Sequence, residues 1–433
     1  MAGNRKVDGG DYLSMLYSGH QFGVYVPQLG DGRAILIGQA RNARGEHWDL
    51  QLKGAGKTPY SRFGDGRAVL RSSIREYLCG EAMHHLGIPT TRALCIVGSP
   101  APVQRETIET AAVLCRMAPT HVRFGNFEVF YYRDQHDHLM PLADHVIAGH
   151  FPHLIGHGDR YRGWLTEVVE RTARLMAQWQ TVGFCHGVMN TDNFSIIGLT
   201  IDYGPYGFMD GFDASWICNH TDEGGRYAYD QQPMVGHWNC SRLLQATLPL
   251  LSKEPEESVA IGTEILERYA PVYTETVLAR WRDKFGWREA RDADRELVNR
   301  FLSILHRGKS DFTQSFRRLA SVEANSDAPA PMRDHIVDVE AFDAWVVDYR
   351  QRLRAENSVD AERAARMNAV NPKYVLRNHL AQAAIEKARA GDFGEIERLT
   401  NLLRKPFDEQ AGMNAYAEGP PPGSVPIEVS CSS

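Results

Sequence analysis

Two short segments in the middle of the chain carry residue types that handle metal-bound phosphates. Residues 186–193 read HGVMNTDN and residues 202–204 read DYG. Kinase catalytic loops present a histidine, an aspartate and an asparagine in that order, followed by a metal-binding aspartate before an aromatic residue and a glycine. Asn193 and Asp202 offer the oxygen ligands that a phosphate-bound Mg²⁺ prefers. The two segments therefore predict a site for a nucleoside triphosphate and its metal ion.

The proton acceptor of a kinase is not in its usual place in this loop. Small-molecule kinases whose loop begins His-Gly-Asp keep the base two residues after the histidine, where this chain has Val188. A valine cannot take a proton, so it cannot act as a general base. A carboxylate stands instead at Asp192, next to Asn193. The metal ligands are thus retained, while the ordinary phosphotransfer base is missing or displaced.

Cationic residues in the first third of the chain complete the pattern. Lys53 ends an alternating segment, and Glu76 lies on the helix predicted to follow it. In kinases a strand lysine, held by a helix carboxylate, contacts the nucleotide phosphates. Arg116 and Arg123 flank the last predicted strand of this part, and guanidinium groups bind phosphate oxygens bidentately. Each residue alone is typical of a solvent-exposed surface, and only the loop at 186–193 favours a shared cleft.

The elements that must position these residues change character along the chain. Alternating segments and glycine turns dominate the first third, where Gly30 to Gly32 predicts a hairpin turn between two strands. Ser72 or Ser73 is predicted to begin the helix that carries Glu76. Strands are also predicted at residues 48–53, 94–97 and 112–117. From residue 144 onward the apolar spacing is mostly helical, most clearly at 164–181.

This order predicts the fold class α+β. The expected architecture is a protein-kinase-like, two-lobed fold with a strand-rich small lobe and a helical large lobe. The predicted parts are a nucleotide-binding small lobe at 1–135, a catalytic large lobe at 136–417 and an extended C-terminal tail at 418–433.

Composition excludes several other classes of protein. The chain has 433 residues and a formal net charge of −6, which argues against a dedicated nucleic-acid-binding surface. No stretch approaches the roughly 18 consecutive apolar residues of a membrane span. The seven cysteines form no CxxC pair, which argues against a zinc site and favours a reducing, cytoplasmic location. The composition is that of a globular enzyme.

Longer motifs resemble one known family, the selenoprotein O family of kinase-like protein adenylyltransferases. The similarity covers nearly the whole chain and does not depend on one motif. The matching segments are 18–23 (SGHQFG), 29–33 (LGDGR), 52–56 (LKGAG), 64–72 (GDGRAVLRS), 186–193 (HGVMNTDN), 202–205 (DYGP) and 431–433 (CSS).

The resemblance implies a reaction other than phosphorylation. Members of this family bind ATP in a reversed orientation, so that AMP rather than the γ-phosphate is transferred to Ser, Thr or Tyr hydroxyls of proteins, including the enzyme itself. Asp192 would accept the proton, and Asn193 and Asp202 would hold Mg²⁺ or Mn²⁺. Glu76 would support Lys53 through an ion pair. The implied ATP-binding residues are Gly30, Gly32, Arg33, Lys53, Asp65, Gly66, Arg116, Arg123 and Asp202.

The resemblance also implies a pair of redox-active cysteines and an N-terminal segment shorter than that of other members. Many animal members carry selenocysteine near the C-terminus, and Cys431 occupies that place, as in the cysteine-bearing, bacterial-type branch. In such relatives a cysteine placed like Cys218 can pair with the tail cysteine. Members usually carry several dozen residues before the segment at 19–21. The N-terminus of this chain is therefore expected to be truncated or to begin late.

Three alternatives remain open at this point. A protein kinase would transfer the γ-phosphate, although Val188 counts against it. A nucleotide-binding pseudokinase would act as a scaffold, although such a scaffold has no need of Asp192, Asn193 and Asp202 together. Transfer of UMP from UTP is a third possibility, because the choice of base depends on the shape of the pocket. The sequence does not identify the protein substrates.

Overall fold

The first part of the chain contains most of the β-structure. The computed structural model describes residues 3–421, 423–425 and 427–430. The elements of this part are β1 (Gly19–Gln21), β2 (Val24–Val26), β3 (Ala34–Arg41), β4 (His47–Lys53), β5 (Ala68–Val69), α1 (Leu70–His85), β6 (Arg92–Gln104) and β7 (Ile108–Ala118). A sheet-rich first part was predicted from the sequence, and the structure confirms it.

The strand β7 is the centre of an antiparallel five-stranded sheet. One edge of β7 pairs with β6, and the other pairs with β4 and then with β5, while β3 pairs with β4. The register sets Lys53 opposite Leu114 and Gln51 opposite Arg116. Because side chains alternate between the two faces of a strand, the side chains of Gln51, Lys53 and Arg116 share one face. This register places two cations side by side.

The remainder of the chain is mainly helical, as predicted. Its elements are α2 (Gly125–Tyr132), α3 (Leu139–His150), α4 (Arg160–Val182), β8 (Phe184–Cys185), β9 (Gly207–Phe208), α5 (Gln232–Thr247), α6 (Pro255–Glu267), α7 (Tyr269–Phe285), α8 (Asp294–Gly308), α9 (Phe312–Leu319), α10 (Val339–Arg354), α11 (Asp360–Val370), α12 (Asn378–Arg389) and α13 (Gly394–Leu403). Among the described residues, no helix combines the length and the apolar character that crossing a membrane requires.

A continuous core joins the sheet-bearing part to the helices. Ile74 and Leu78 of α1 are fully buried in the same cluster as Trp164 of α4 and Phe184 of β8. Helix α4 ends at Val182 and is followed by Gly183, whose φ of +70° is the left-handed conformation that commonly closes a helix. The segment that holds the predicted catalytic residues begins directly after β8. The core therefore fixes both sides of the predicted site.

The predicted hairpin around Gly30 to Gly32 is wrong. Strand β2 pairs with β1, and β3 pairs with β4, so the two strands on either side of this turn do not pair with each other. The backbone of the turn is bonded elsewhere: the amide of Leu29 donates to the carbonyl of Tyr17, and that of Asp31 to Met15. The segment that contains Met15 and Tyr17 thus accepts the hydrogen bonds of backbone amides that a hairpin would have paired between its own strands.

Two further boundaries differ from the sequence-based expectation. Helix α1 begins at Leu70, before the predicted Ser72 or Ser73, and both serine hydroxyls donate to the carbonyl of Val69. Strands β6 and β7 are longer than the predicted 94–97 and 112–117, because they form one long hairpin. The positions of the cleft residues on these elements are unchanged.

We expect Gly54→Ala to be more destabilising than Gly56→Ala. Both glycines lie in the loop after β4 at positive φ (+93° and +136°), so both substitutions strain the backbone. A Cβ on Gly54 would lie 2.6 Å from the carbonyl oxygen of Ala112, whereas one on Gly56 meets nothing within 4 Å. Urea unfolding should show an additional loss of about 1–3 kcal/mol for Gly54→Ala, the usual cost of overpacking. Equal losses would contradict this account of the loop.

Candidate active site

One cleft brings together nearly all the residues singled out from the sequence. It has a volume of about 900 Å³ and is lined both by the sheet-bearing part and by the segment after β8. Glu76 lies behind Lys53, and Cys218 lies outside the lining. The predicted residues that line the cleft are Gly30, Gly32, Arg33, Lys53, Asp65, Gly66, Arg116, Arg123, Asp192, Asn193 and Asp202.

Glu76 holds two cations in the wall of this cleft. Its Oε2 lies 2.5 Å from Nζ of Lys53, and Arg116 donates from Nε to Oε1 and from Nη2 to Oε2. All three side chains are buried. Burial alone would raise the pKa of Glu76, but the charges of Arg116 and Lys53 outweigh it and lower that pKa. The Lys53–Glu76 contact was expected from the sequence, whereas the sharing of Glu76 with Arg116 was not.

Lys53 is surrounded by other positive charges. Burial lowers its pKa to about 8, and the nearby guanidinium groups of Arg116 and Arg33 act in the same direction, against the attraction of Glu76. A cation in this position is stabilised when additional negative charge arrives. The triphosphate of a nucleotide is such a charge.

Asp202 is the second carboxylate in this arrangement. Its Oδ1 lies 2.8 Å from Nη2 of Arg116, and its Oδ2 lies 2.5 Å from Nη1 of Arg123. Burial would raise the pKa of Asp202, but Arg123, Arg116 and Lys53 together hold it well below the usual range. The side chains therefore form a row of alternating charge with three cations and two anions: Lys53, Glu76, Arg116, Asp202 and Arg123. The excess of positive charge suits the binding of phosphates.

Asp192 has a different environment from Asp202. It lies in a short 3₁₀ turn at 191–193, and its side chain is buried. Its Oδ2 accepts a hydrogen bond from Nε2 of Gln21 at 3.4 Å, and its Oδ1 has no hydrogen-bond partner within the described part of the chain. Burial raises the pKa of Asp192 to about 7, even though Arg123 acts to lower it. A carboxyl group with a pKa near neutrality is suited to exchanging a proton.

The other loop residues hold this segment together. The ring of His186 is hydrogen-bonded through Nε2 to the carbonyl of Ile201, which precedes Asp202. Asn193 donates from Nδ2 to the carbonyl of Val188 at 3.0 Å, so its amide oxygen is the atom left to coordinate a cation. Val188, which stands where a loop of the His-Gly-Asp type keeps its base, lines the cleft.

Two glycine-containing loops pack on each other at the mouth of the cleft. A Cβ on Gly30 would lie 2.5 Å from the ring of Tyr60, so the close approach requires glycine. The hydroxyl of Thr58 donates to the carbonyl of Asp31, and that of Ser61 to the carbonyl of Gly32. These bonds order the backbone that the family resemblance assigns to the nucleotide.

Asp65 is paired with a residue that sequence reasoning missed. Arg105 contacts both carboxylate oxygens of Asp65 at 3.0 Å, and these hydrogen bonds lower the pKa of Asp65 to about 2. Arg105 also lines the cleft. The sequence around Arg105, in the turn between β6 and β7, contains no pattern that predicts this ion pair, because Asp65 is distant in the sequence. Gln21 was missed for the same reason.

The predicted redox pair is only partly described. Cys218 is buried, its thiol lies 3.5 Å from the carbonyl oxygen of Cys185, and burial raises its pKa well above the usual value. Cys431 lies outside the described residues, so the pairing stays a prediction. The described tail does reach this region, because the amide of His220 donates to the carbonyl of Val429 at 3.1 Å.

We expect Lys53→Met and Glu76→Gln to affect stability non-additively. Glu76→Gln leaves two buried cations without their carboxylate and should lower the free energy of unfolding by about 3–5 kcal/mol. Lys53→Met in that background removes one of those cations, so the double variant should lose about 1–3 kcal/mol less than the sum. Urea unfolding of the four proteins measures this coupling. Additive losses would mean that the two side chains do not act as a pair.

The exposed pair Arg162–Glu264 supplies a matched control. Both side chains are about half exposed. Solvent and salt screen such pairs, so Glu264→Gln should leave the unfolding curve almost unchanged. A large effect there would show that loss of any glutamate has the same consequence.

Comparisons with known proteins identify the family of this chain. The family profile described as "Protein adenylyltransferase SelO" matches residues 3–404. The protein nucleotidyltransferase YdiU of Methylococcus capsulatus is 61% identical over 435 residues, covering 100% of this chain and 86% of the relative. The protein of the same name from Myxococcus xanthus is 56% identical over 434 residues, covering 100% of this chain and 88% of the relative. The chain belongs to the SelO protein adenylyltransferase family.

Proposed function

We propose that this protein transfers AMP from ATP to Ser, Thr or Tyr hydroxyls of proteins, its own included, and releases pyrophosphate. The observation that carries the proposal is the group of three buried cations, Lys53, Arg116 and Arg123, with the buried carboxyl group of Asp192 beside them. The relatives are named protein nucleotidyltransferases, which supports the same reaction class.

The proposal includes a kinase-like arrangement of two lobes. The small lobe would comprise residues 1–135, the large lobe 136–417 and the tail 418–433. The sheet around β7 followed by helices α2 to α13, with the cleft lined by both parts, supports this division. A cytoplasmic location is part of the proposal, since none of the six cysteines in the described residues is joined to another of them.

The positions of the three cations suggest the proposed positions of the phosphates. Arg116 and Arg123 both bond to Asp202, and phosphate oxygens compete well for guanidinium groups because they accept two parallel hydrogen bonds. Lys53, Arg116 and Arg123 would then hold the β- and γ-phosphates in the deep part of the cleft. The α-phosphate would lie toward Asp192, whose backbone carbonyl is 2.9 Å from Nη1 of Arg123. Pyrophosphate is thereby the leaving group that the site retains.

The chemical step follows from this placement. The hydroxyl oxygen of the acceptor attacks the α-phosphorus, and the bond between that phosphorus and the oxygen bridging to the β-phosphate breaks. The acceptor proton passes to the carboxylate of Asp192, and the electron pair leaves with pyrophosphate. Lys53, Arg116 and Arg123 stabilise the charge that develops there. Val188 is then no obstacle, because the proton acceptor need not occupy the position that a kinase uses.

The oxygen donors near the phosphates fit a hard divalent cation. Asn193 offers an amide oxygen and Asp202 a carboxylate, and Mg²⁺ or Mn²⁺ typically takes one or two such protein ligands and completes its shell with phosphate and water. Residues 3–421, 423–425 and 427–430 contain no group of three or more His, Cys, Asp and Glu side chains that could enclose a metal ion. When bound, the cation would neutralise negative charge on the phosphates.

Parallel incubation with α- and γ-labelled ATP tests the proposal. We expect the α-label to enter both an acceptor protein and the enzyme, and intact mass spectrometry to show an added AMP. Asp192→Asn keeps the size of the side chain but removes the base, so it should reduce the rate by about 100-fold or more while ATP still binds.

Each alternative outcome of this experiment indicates a different function for the protein. Incorporation of γ-label without an AMP adduct would show a kinase, and ATP binding with no transfer would show a scaffold. An added UMP from UTP at a higher kcat/KM than AMP from ATP would change the nucleotide but retain the chemistry. Any of these results would contradict AMP transfer from ATP as the reaction.

A further inference from the structure

The β1–β2 hairpin contacts the loop that carries Asp192 at successive residues. The amide of Phe22 donates to Oδ1 of Asn190 at 3.3 Å, and the amide of His20 donates to the hydroxyl of Thr191 at 2.7 Å. These partners directly precede Asp192. The hairpin therefore holds the backbone of this loop from one side.

The third contact reaches Asp192 itself. Nε2 of Gln21 lies 3.4 Å from Oδ2 of the carboxylate. Gly19, at the start of the same strand, approaches so closely that a Cβ there would lie 2.4 Å from Oδ1 and 2.9 Å from Cβ of Asp192. One side of the carboxyl group is thus covered by the hairpin. Its Oδ1 remains without a hydrogen-bond partner among the described residues.

The hairpin is itself anchored on the helices. Nδ1 of His20 lies 2.8 Å from Oε2 of Glu128 on α2, and both side chains are buried. Rings of β2, α2 and α5 surround the imidazole at centroid distances of 5.3–5.8 Å: Tyr25, Tyr132 and Trp238. This anchoring fixes the position of β1 relative to Asp192.

The turn of the hairpin is held in a strained conformation. Phe22 has a φ of +50°, which is costly for a bulky side chain. Besides its bond to Asn190, its amide donates to the hydroxyl of Tyr227 at 2.8 Å, and the two rings lie 5.0 Å apart. Contacts with Asn190 and Tyr227 thus maintain the turn that directs Gln21 toward Asp192.

We infer that strand β1 is part of the active site, and that Gln21 is a positioning residue that fixes the orientation of the Asp192 carboxyl group used in the proposed reaction. This inference rests on the proposed function. Gln21 suits the role because an amide N–H donates without adding a charge that would compete for phosphate. Gly19 suits it because any larger residue would displace the carboxyl group.

The test compares Gln21→Met with Val24→Ala by steady-state transfer of α-label from ATP. Methionine has a similar length and no N–H group, while Val24 is a 69% exposed residue of the same hairpin. We expect Gln21→Met to lower kcat about 10-fold or more, because a small displacement of a reacting group is costly in rate. The KM for ATP and the melting temperature should stay near the wild-type values, and Val24→Ala should match the wild type throughout.

A second pair of variants tests the close approach at Gly19. Gly19→Ala should also lower kcat, whereas Gly98→Ala, in β6 with nothing within 4 Å of the added Cβ, should not. A wild-type kcat for Gln21→Met would overturn the inference. A melting temperature that falls together with kcat would also overturn it, because the loss of rate would then reflect unfolding. Absence of α-label with the wild type would instead defeat the proposed function, and the inference would fall with it.

Discussion

The carboxylate of Glu76 neutralises two buried cations that come from different strands. Lys53 ends β4, Arg116 lies on the neighbouring β7, and the register of these strands brings their side chains onto one face of the sheet. Without Glu76 the two charges would repel each other in a poorly solvated wall, at a cost of several kcal/mol. The packing of α1 against the sheet supplies that carboxylate. The rest of the cleft depends on this arrangement, because it keeps the cations charged and in place.

The same alternation of charge continues across the cleft. Arg116 also bonds to Asp202, and Asp202 bonds to Arg123, whose guanidinium group reaches the backbone of Asp192. A ligand that competes for the two arginines therefore acts on both walls of the cleft at once. Asp192 itself is outside this chain of ion pairs: it is buried against the β1–β2 hairpin, where Gln21 donates to its Oδ2. Asp202 is thus paired with two arginines, whereas Asp192 is buried beside a neutral amide.

The sequence predicted those features that depend on local pattern. The alternation at 48–53, the helix that carries Glu76 and the order of Asp192, Asn193 and Asp202 predicted the centre of the cleft, whereas the residues of its glycine-containing loops were expected only from the family resemblance. The pairing of strands around Gly30 to Gly32 was wrong, because the backbone amides of Leu29 and Asp31 donate to carbonyl groups of the preceding segment rather than to a paired strand. The Asp65–Arg105 pair could not be predicted either, since contacts between distant residues leave no local pattern.

The central claim is that the cations retain the β- and γ-phosphates and leave the α-phosphate beside Asp192. A crystal structure with Mn²⁺ and α,β-methylene-ATP, in which the bond to be broken is replaced by a stable one, tests it most directly. The account predicts the two terminal phosphates within hydrogen-bond distance of Lys53, Arg116 and Arg123, with the α-phosphorus as the one nearest to the carboxyl group of Asp192. A γ-phosphorus nearest to Asp192, with the α-phosphate held by the three cations, would contradict it.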